Sequence, residues 1–340
     1  MMTSGQQQAA PTALNELKWD NGARQHVLGK LSQAGLGQLV PATDIRIYHY
    51  TDAYALQAIL QSGRLRASSM AFLNDKTEYK LGTSKFCEAI KASVEPTIVA
   101  IRDAVLAVLE DEYHQLRQRL EVYNCSFSHE GDLLSQWRGY ADAGSGFSVG
   151  FNAVELSQLL RPRGWSYNVI YKDAEQIDMA KSAIDAFGEY FTTEGGVQAI
   201  GALDFSKTLA LGTIAALSPA MKHSGFTEER EFRHVVNNQY GQQTKIGENG
   251  QREALVKWRA RSGEVIPFVE LDTAEDVPVL PPGGAGQATI EQRQTKLPVK
   301  VIYVGPCHDF DRTEQSLQAL LRQYKYENVC VRHANVPFLP

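Results

Sequence analysis

Hydrophobic positions along this chain recur with two periods. Spacings of three and four predict helices, and short β-branched and aromatic runs predict strands. Ile45-Arg46-Ile47-Tyr48-His49-Tyr50 reads as a first strand. Thr51 or Asp52 then stands where a cap is needed for a helix over Ala53 to Ser62. Leu56, Ile59 and Leu60 form its apolar stripe and Gly63 its stop. A strand near Leu65 to Ser69 follows. Asn74-Asp75-Lys76-Thr77-Glu78 turns into a second helix, with Asp75 and Glu78 at capping-box spacing. From Pro96 to Tyr123, Ile98, Ile101, Val105, Val108, Leu109, Leu116 and Leu120 keep helical spacing, as a helical insertion or one arm of a helical hairpin. Val122 to Ser128 is extended, a short helix runs through Trp137, and a turn at Gly144 and Gly146 leads into a strand over Phe147 to Phe151.

Ala174 to Met221 returns to a largely helical pattern. Phe226 to Val236 and Gly263 to Leu271 read as strands. Asp276 to Thr295 reads as a loop around Pro281-Pro282-Gly283-Gly284-Ala285-Gly286. A strand–helix–strand unit closes the chain: Val299 to Gly305, Asp311 to Tyr324, Val329 to Arg332. The expectation is one α+β domain over residues 41–340, with helical insertions near 84–122 and 174–222. Residues 1–40 precede it as a disordered tail through Thr12 and a short helical arm from Leu14 to Leu39.

Composition narrows the class. Apolar content of 43% and charged content of 21% over 340 residues describe an ordinary soluble protein. No apolar run reaches the length of a membrane span and no secretory leader is visible, so no membrane role is expected. Cys87, Cys125, Cys307 and Cys330 lie far apart without C-x-x-C spacing, against a zinc site or disulfide framework and for a reduced cytoplasm. No metal is expected. A net charge of −5 gives no footprint for bulk nucleic-acid binding but allows a local basic groove.

Glu228-Glu229-Arg230-Glu231-Phe232-Arg233 holds five charges in six positions before Val235-Val236. In a strand, Glu229, Glu231 and Arg233 would share one face, either as the wall of a polar cleft or as a charged edge that resists aggregation. His49 precedes a helix N-terminus, where ribose and phosphate groups are well received, or is a buried, satisfied histidine. Ser126 and Ser128 set two hydroxyls on one strand face, or are routine strand packing. Gln136-Trp137-Arg138-Gly139-Tyr140 offers aromatic rings and a cation that can stack on a base and hold a phosphate, or a core Trp beside a surface Arg. No H-E-x-x-H, G-x-S-x-G or phosphate-loop spacing is present.

Tyr48-His49-Tyr50-Thr51, Leu73-Asn74-Asp75 with Glu78, and Cys125-Ser126-Phe127-Ser128 resemble the bacterial domain-of-unknown-function family 2971. So do Trp137 with Gly139-Tyr140-Ala141 and Gly146, Phe226 with Glu229-x-Glu231-x-Arg233, and Val304-Gly305-Pro306. The family in turn looks like a relative of the ADP-ribosyltransferase fold, which implies a split mixed β-sheet core and NAD as cofactor. The resemblance implies that His49 holds the adenosine ribose, with Tyr50 and Thr51 beside it. It also implies that Ser126 and Ser128 match a Ser-x-Ser element, and that Glu231 is the catalytic glutamate with Glu229 two residues before it. A first-strand His combined with this Glu pair departs from the usual classes and leaves Glu229 against Glu231 open.

The expected activity is NAD-dependent ADP-ribosyl transfer to a protein or nucleic acid, as in toxins or phage-defence effectors, with an antitoxin or helical protein as a possible partner. Trp137, Arg138, Tyr140 and Arg233 complete the expected cofactor site. As an exposed cleft carboxylate, Glu231 is expected to tolerate Gln with little effect on folding. Two alternatives stand beside this reading. One is a nucleotide- or RNA-end-binding module without turnover. The other is a scaffold that presents the face around Ile101 to Leu120 to a partner.

Overall fold

The strand-forming runs assemble into one large sheet whose two faces are covered by helical segments, and the short segments 244–246 and 252–254 pair apart from it as a two-stranded ladder. The computed structural model describes residues 22, 25–34, 45–73, 78–161, 164–193, 203–237, 244–246, 252–261, 263–279 and 289–338. The expected tail over residues 1–12, the turn at 74–77 and the stretch 281–286 lie outside these. Within the expected arm, residues 25–33 are helical.

The strands are β1 (Arg46–Thr51), β2 (Leu65–Ser69), β3 (Val122–Ser128), β4 (Phe147–Asn152), β5 (Leu160–Arg161), β6 (Trp165–Asn168) and β7 (Glu231–Asn237). They continue as β8 (Thr244–Ile246), β9 (Arg252–Ala254), β10 (Val256–Arg261), β11 (Glu264–Val279), β12 (Thr289–Thr295), β13 (Val299–Val304) and β14 (Cys330–His333). The helices are α1 (Ala53–Ser62), α2 (Glu78–Ala92), α3 (Pro96–Leu109), α4 (Glu112–Glu121) and α5 (Leu134–Tyr140). The chain adds α6 (Ala153–Leu159), α7 (Asp173–Thr193), α8 (Leu203–Leu217) and α9 (Phe310–Gln323). Among the described residues no helix is long and apolar enough to cross a membrane.

Local signals set α1. The Asp52 carboxylate accepts from the Ala55 N–H at 2.6 Å, and Gly63 closes the helix at φ 65°. The C-terminal unit forms as read, with β13 and β14 parallel and α9 between them. Three expectations give way. The long helical pattern from Pro96 breaks at Glu110-Asp111 into α3 and α4 and ends at Glu121, where the expected extended segment Val122 to Ser128 begins as β3. The expected loop after 276 continues β11 to Val279, which pairs with β12 from Thr273–Thr295 to Val279–Thr289. That hairpin is polar, so hydrophobic period gave no sign of it; ladder hydrogen bonds hold it. Phe226 to Glu229 is not strand but part of a 3-10 turn over Ser224–Glu229.

The sheet is mixed and twelve-stranded, ordered β10-β11-β2-β3-β1-β4-β13-β14, with β7 paired along the other edge of β3. One edge of β3 meets two strands in turn. Tyr123 and Asn124 pair with β2, Ser128 pairs with Tyr48 of β1, and the residues between them have no ladder partner on that edge. The sheet therefore opens between β1 and β2, and the opening forms one side of a cleft of about 1720 Å³.

One apolar core joins α2, α3, α7 and α8 to the sheet face that carries Val122 and Val235; the other fills the opposite face beneath α1, α6 and α9. Ile98, Ile101, Val105 and Leu109 all sit in the first core, so this face of α3 is not available to a partner; Leu116 and Leu120 on α4 are exposed. The face that is apolar at Val122 and Val235 turns polar further along, at Ser126, Ser128, Glu231 and Arg233.

Gly82 lets α2 lie against the turn at Ser218, because a Cβ there would meet the Ser218 carbonyl oxygen at 2.2 Å. That approach brings Glu78, at the start of α2, to Lys222. Gly82→Ala is expected to cost about 1–3 kcal/mol through overpacking, measured as a lower urea midpoint at unchanged slope.

Candidate functional site

The polar end of β7 holds a buried ion cluster. Antiparallel register sets Glu231 opposite Ser128 and Arg233 opposite Ser126, so these side chains share one sheet face. Arg233 is 1% exposed and donates to Glu78, Glu231 and, at 2.7 Å, the Pro219 carbonyl. Lys222 stands against Glu229, 3.3 Å from Glu231 and 3.8 Å from Glu78, with its ammonium 4.7 Å from the Phe226 ring centroid. Two cations thus tie together carboxylates from α2, from the 3-10 turn and from β7.

Burial acts to raise the Glu231 carboxyl, but Arg233 and Lys222 outweigh it and hold it below the ordinary glutamate value. Glu229 goes the other way. Its burial outweighs the pull of Lys222 and raises its carboxyl. The Lys222 ammonium is pushed down by burial and up by Glu231 and Glu78, with a net rise. At neutral pH Glu231 is therefore a fixed anion, whereas Glu229 is the carboxylate that holds a proton more readily.

Glu229 does not reach this cluster by strand pleat. The 3-10 turn and Arg230, in a left-handed conformation at φ 45°, bring its carboxylate back toward Glu231. Ser128 Oγ donates to the Glu229 carbonyl at 2.8 Å and fixes that turn to β3. The Tyr140 hydroxyl approaches the Glu229 carboxylate at 3.4 Å, and the Tyr171 oxygen accepts from the Glu231 N–H at 2.9 Å. Glu231 is 7% exposed, which overturns its reading as an exposed carboxylate: the ion cluster and Tyr171 enclose it.

His49 marks the opening of the sheet. The Ser126 carbonyl lacks a ladder partner on that edge, and His49 Nδ1–H donates to it at 3.0 Å. Burial lowers the imidazole below its ordinary value and keeps it neutral. The ring packs against Phe127, 5.7 Å between centroids. Tyr50 is committed to structure: its hydroxyl donates to the Glu130 carbonyl at 2.8 Å and accepts from the Leu133 N–H at 3.0 Å. His49, Tyr50, Thr51, Ser126 and Ser128 border the same cleft as Glu231 and Arg233.

Trp137 does not reach the cleft. It is fully buried, donates to Asp132 at 2.8 Å and packs edge-on to Tyr50, so its expected stacking on a cofactor is corrected to a core role. Arg138 and Tyr140 from the same helix are exposed at the cleft. Arg138 lies over Phe338, 4.9 Å to the ring centroid, which gives the C-terminal segment a place at the rim. Sequence reasoning missed Lys222 altogether, because a lone lysine after a helical stretch carries no local signal. Glu78 was visible as a helix-capping residue and in the family resemblance, but with no role at this site.

These features define an α+β protein whose sheet opens into a cleft beside a buried ion cluster. The family model of DUF2971, described as a protein of unknown function, matches residues 136–234, and that stretch is similar to the family. The match takes in α5 from Gln136 onward, Lys222, Glu229, Glu231 and Arg233, while Glu78, His49, Ser126 and Ser128 come from outside it. No curated protein and no solved structure matches the chain.

Proposed function

We propose that the cleft binds NAD and that the protein transfers its ADP-ribosyl group to an acceptor, on a sheet arranged as in the ADP-ribosyltransferase fold. The observation that carries this reading is the opening between β1 and β2. It gives His49, Ser126, Ser128 and Glu231 access to one cleft of about 1720 Å³, more than the ~300–1,000 Å³ usual for small-ligand sites and roomy enough for a dinucleotide. The donor set fits as well: a fixed carboxylate, hydroxyls and a neutral imidazole suit ribose, and Arg138 suits a phosphate.

Bound NAD supplies a glycosidic bond whose cleavage develops positive charge on ribose. Glu231, held ionised by Arg233 and Lys222, stabilises that charge and accepts from a ribose hydroxyl. Glu229, with its raised carboxyl, takes the proton of the incoming nucleophile. His49, fixed through Nδ1 to Ser126, orients the adenosine ribose. Release of nicotinamide by the purified protein, with cell lysate as acceptor, tests the reading. His49→Ala is expected to weaken NAD binding about tenfold, the loss of one or two buried hydrogen bonds at ~1 kcal/mol each. Titration calorimetry that gives an unchanged Kd would remove the ribose role.

One observation favours a second reading. Glu231 is already engaged by two cations and is 7% exposed, an arrangement that also suits a nucleotide-binding module without turnover. Saturable NAD binding with no nicotinamide release identifies that case.

A further inference from the structure

Beyond the ion cluster, the same sheet face continues outward across β2, β11 and β10. Register sets Ser68 opposite both Asn124 and Phe268, Arg66 opposite Glu270, Lys257 opposite Phe268 and Arg259 opposite Ile266. These side chains therefore share a face with Ser126 and Glu231. In a chain of net charge −5 this wall is locally basic. Arg64 and Lys257 share the Glu270 carboxylate at 3.3 and 2.9 Å. Arg259 reaches across β11 to donate to Ser68 Oγ at 2.9 Å. Arg66 is exposed, with its guanidinium 4.9 Å from the Phe268 ring centroid.

Between this wall and Glu231 stands Asn124, 3% exposed and bordering the cleft. One end of its amide donates to Ser126 Oγ at 2.8 Å; Oδ1, at the other end, is buried with no hydrogen-bond partner among the described residues. A buried acceptor without a donor costs about 1–3 kcal/mol. Because Asn124 borders the cleft, a small rotation of its amide presents this unpaired acceptor to a donor that enters there.

We infer that the wall formed by β2, β11 and β10 binds a single-stranded nucleic acid, with phosphates on Arg66 and Arg259 and the N–H edge of a base at Asn124 Oδ1. The surface runs from β10, which pairs only with β11 among the described residues, to Glu231, so a strand lying on it delivers a nucleotide to the carboxylates. Naming that strand as the acceptor rests on the transferase reading; the binding itself does not.

Fluorescence anisotropy of the full-length protein with labelled single strands of about 12 nucleotides, within the span of one such groove, tests the inference. One RNA and one DNA are titrated across a salt series, and the tighter of them identifies the sugar. Arg66→Ala with Arg259→Ala is expected to weaken binding about tenfold or more. It should also flatten the log–log salt slope by about 1.4, ~0.7 for each phosphate that an arginine no longer neutralises. Arg66→Glu alone, at an exposed position, serves the same purpose should the double variant fold poorly. Asn124→Leu should weaken binding of the strand but not of an abasic strand of equal length.

Two results would overturn the inference: neither strand binds the wild type, or the arginine variants bind with unchanged affinity and slope. Strand binding that depends on these arginines, in a protein that neither binds NAD nor releases nicotinamide, would sink the transferase reading and leave this surface standing.

Discussion

Arg233→Met is expected to lower the stability of this protein by about 3–5 kcal/mol, the usual cost of leaving a buried ion pair without one partner. Arg233 is 1% exposed and donates hydrogen bonds to both Glu78 and Glu231. Without it those carboxylates face each other with only Lys222 between them, and the Pro219 carbonyl loses its donor. Urea unfolding measures the loss.

Its pH dependence separates this cause from simple loss of packing. In the wild type Glu231 is held below its ordinary value, so its contribution is fully present above the unfolded-state value and is lost as pH falls through the folded one. In Arg233→Met burial dominates and the carboxyl rises, so protonation relieves the variant. The gap between the two proteins should therefore narrow as pH falls from neutral into the glutamate range. A gap that stays constant with pH would place the loss in packing rather than in charge.

Glu231→Gln carries the second large effect, on turnover and on stability together. Nicotinamide release should fall by about 10²–10³-fold or more, the scale of losing one electrostatic stabiliser of a transition state. Stability should fall by about 3 kcal/mol, the low end for a broken buried pair, because Arg233 keeps Glu78 and Lys222 keeps Glu229. The protein still folds at that cost within an ordinary margin of about 5–15 kcal/mol, so activity is read on folded protein. Wild-type release in a well-folded Glu231→Gln protein would remove the catalytic role and favour the binding module. Glu231→Gln with wild-type stability would show instead that the cluster is looser than its geometry.

Much of the frame was legible because its signals are local. The Asp52 cap and Gly63 stop of α1 act within one turn, and so does the periodicity that made the C-terminal strand–helix–strand unit readable. Glu231 and Arg233 were placed on one face by the period of a strand, which sterics fix residue by residue. Glu229 was assigned to that face too, and there the reasoning failed: a left-handed Arg230 breaks the period just before the strand begins. The β11–β12 hairpin was missed because its polar residues are held by cross-strand bonds that no single segment announces.

The α+β class, most strand and helix positions and the paired carboxylates beside an arginine can all be read from local residue patterns. Each follows from propensity, period or capping, forces that act over a few residues. Long-range packing sets the rest: the sheet opens between β1 and β2, Trp137 is core and Arg138 is rim, and Lys222 and Glu78 complete the ion cluster. Those outcomes depend on which distant segments meet. Burial and Coulomb forces act through space across separations such as the 155 residues between Glu78 and Arg233, and sequence spacing carries no record of them.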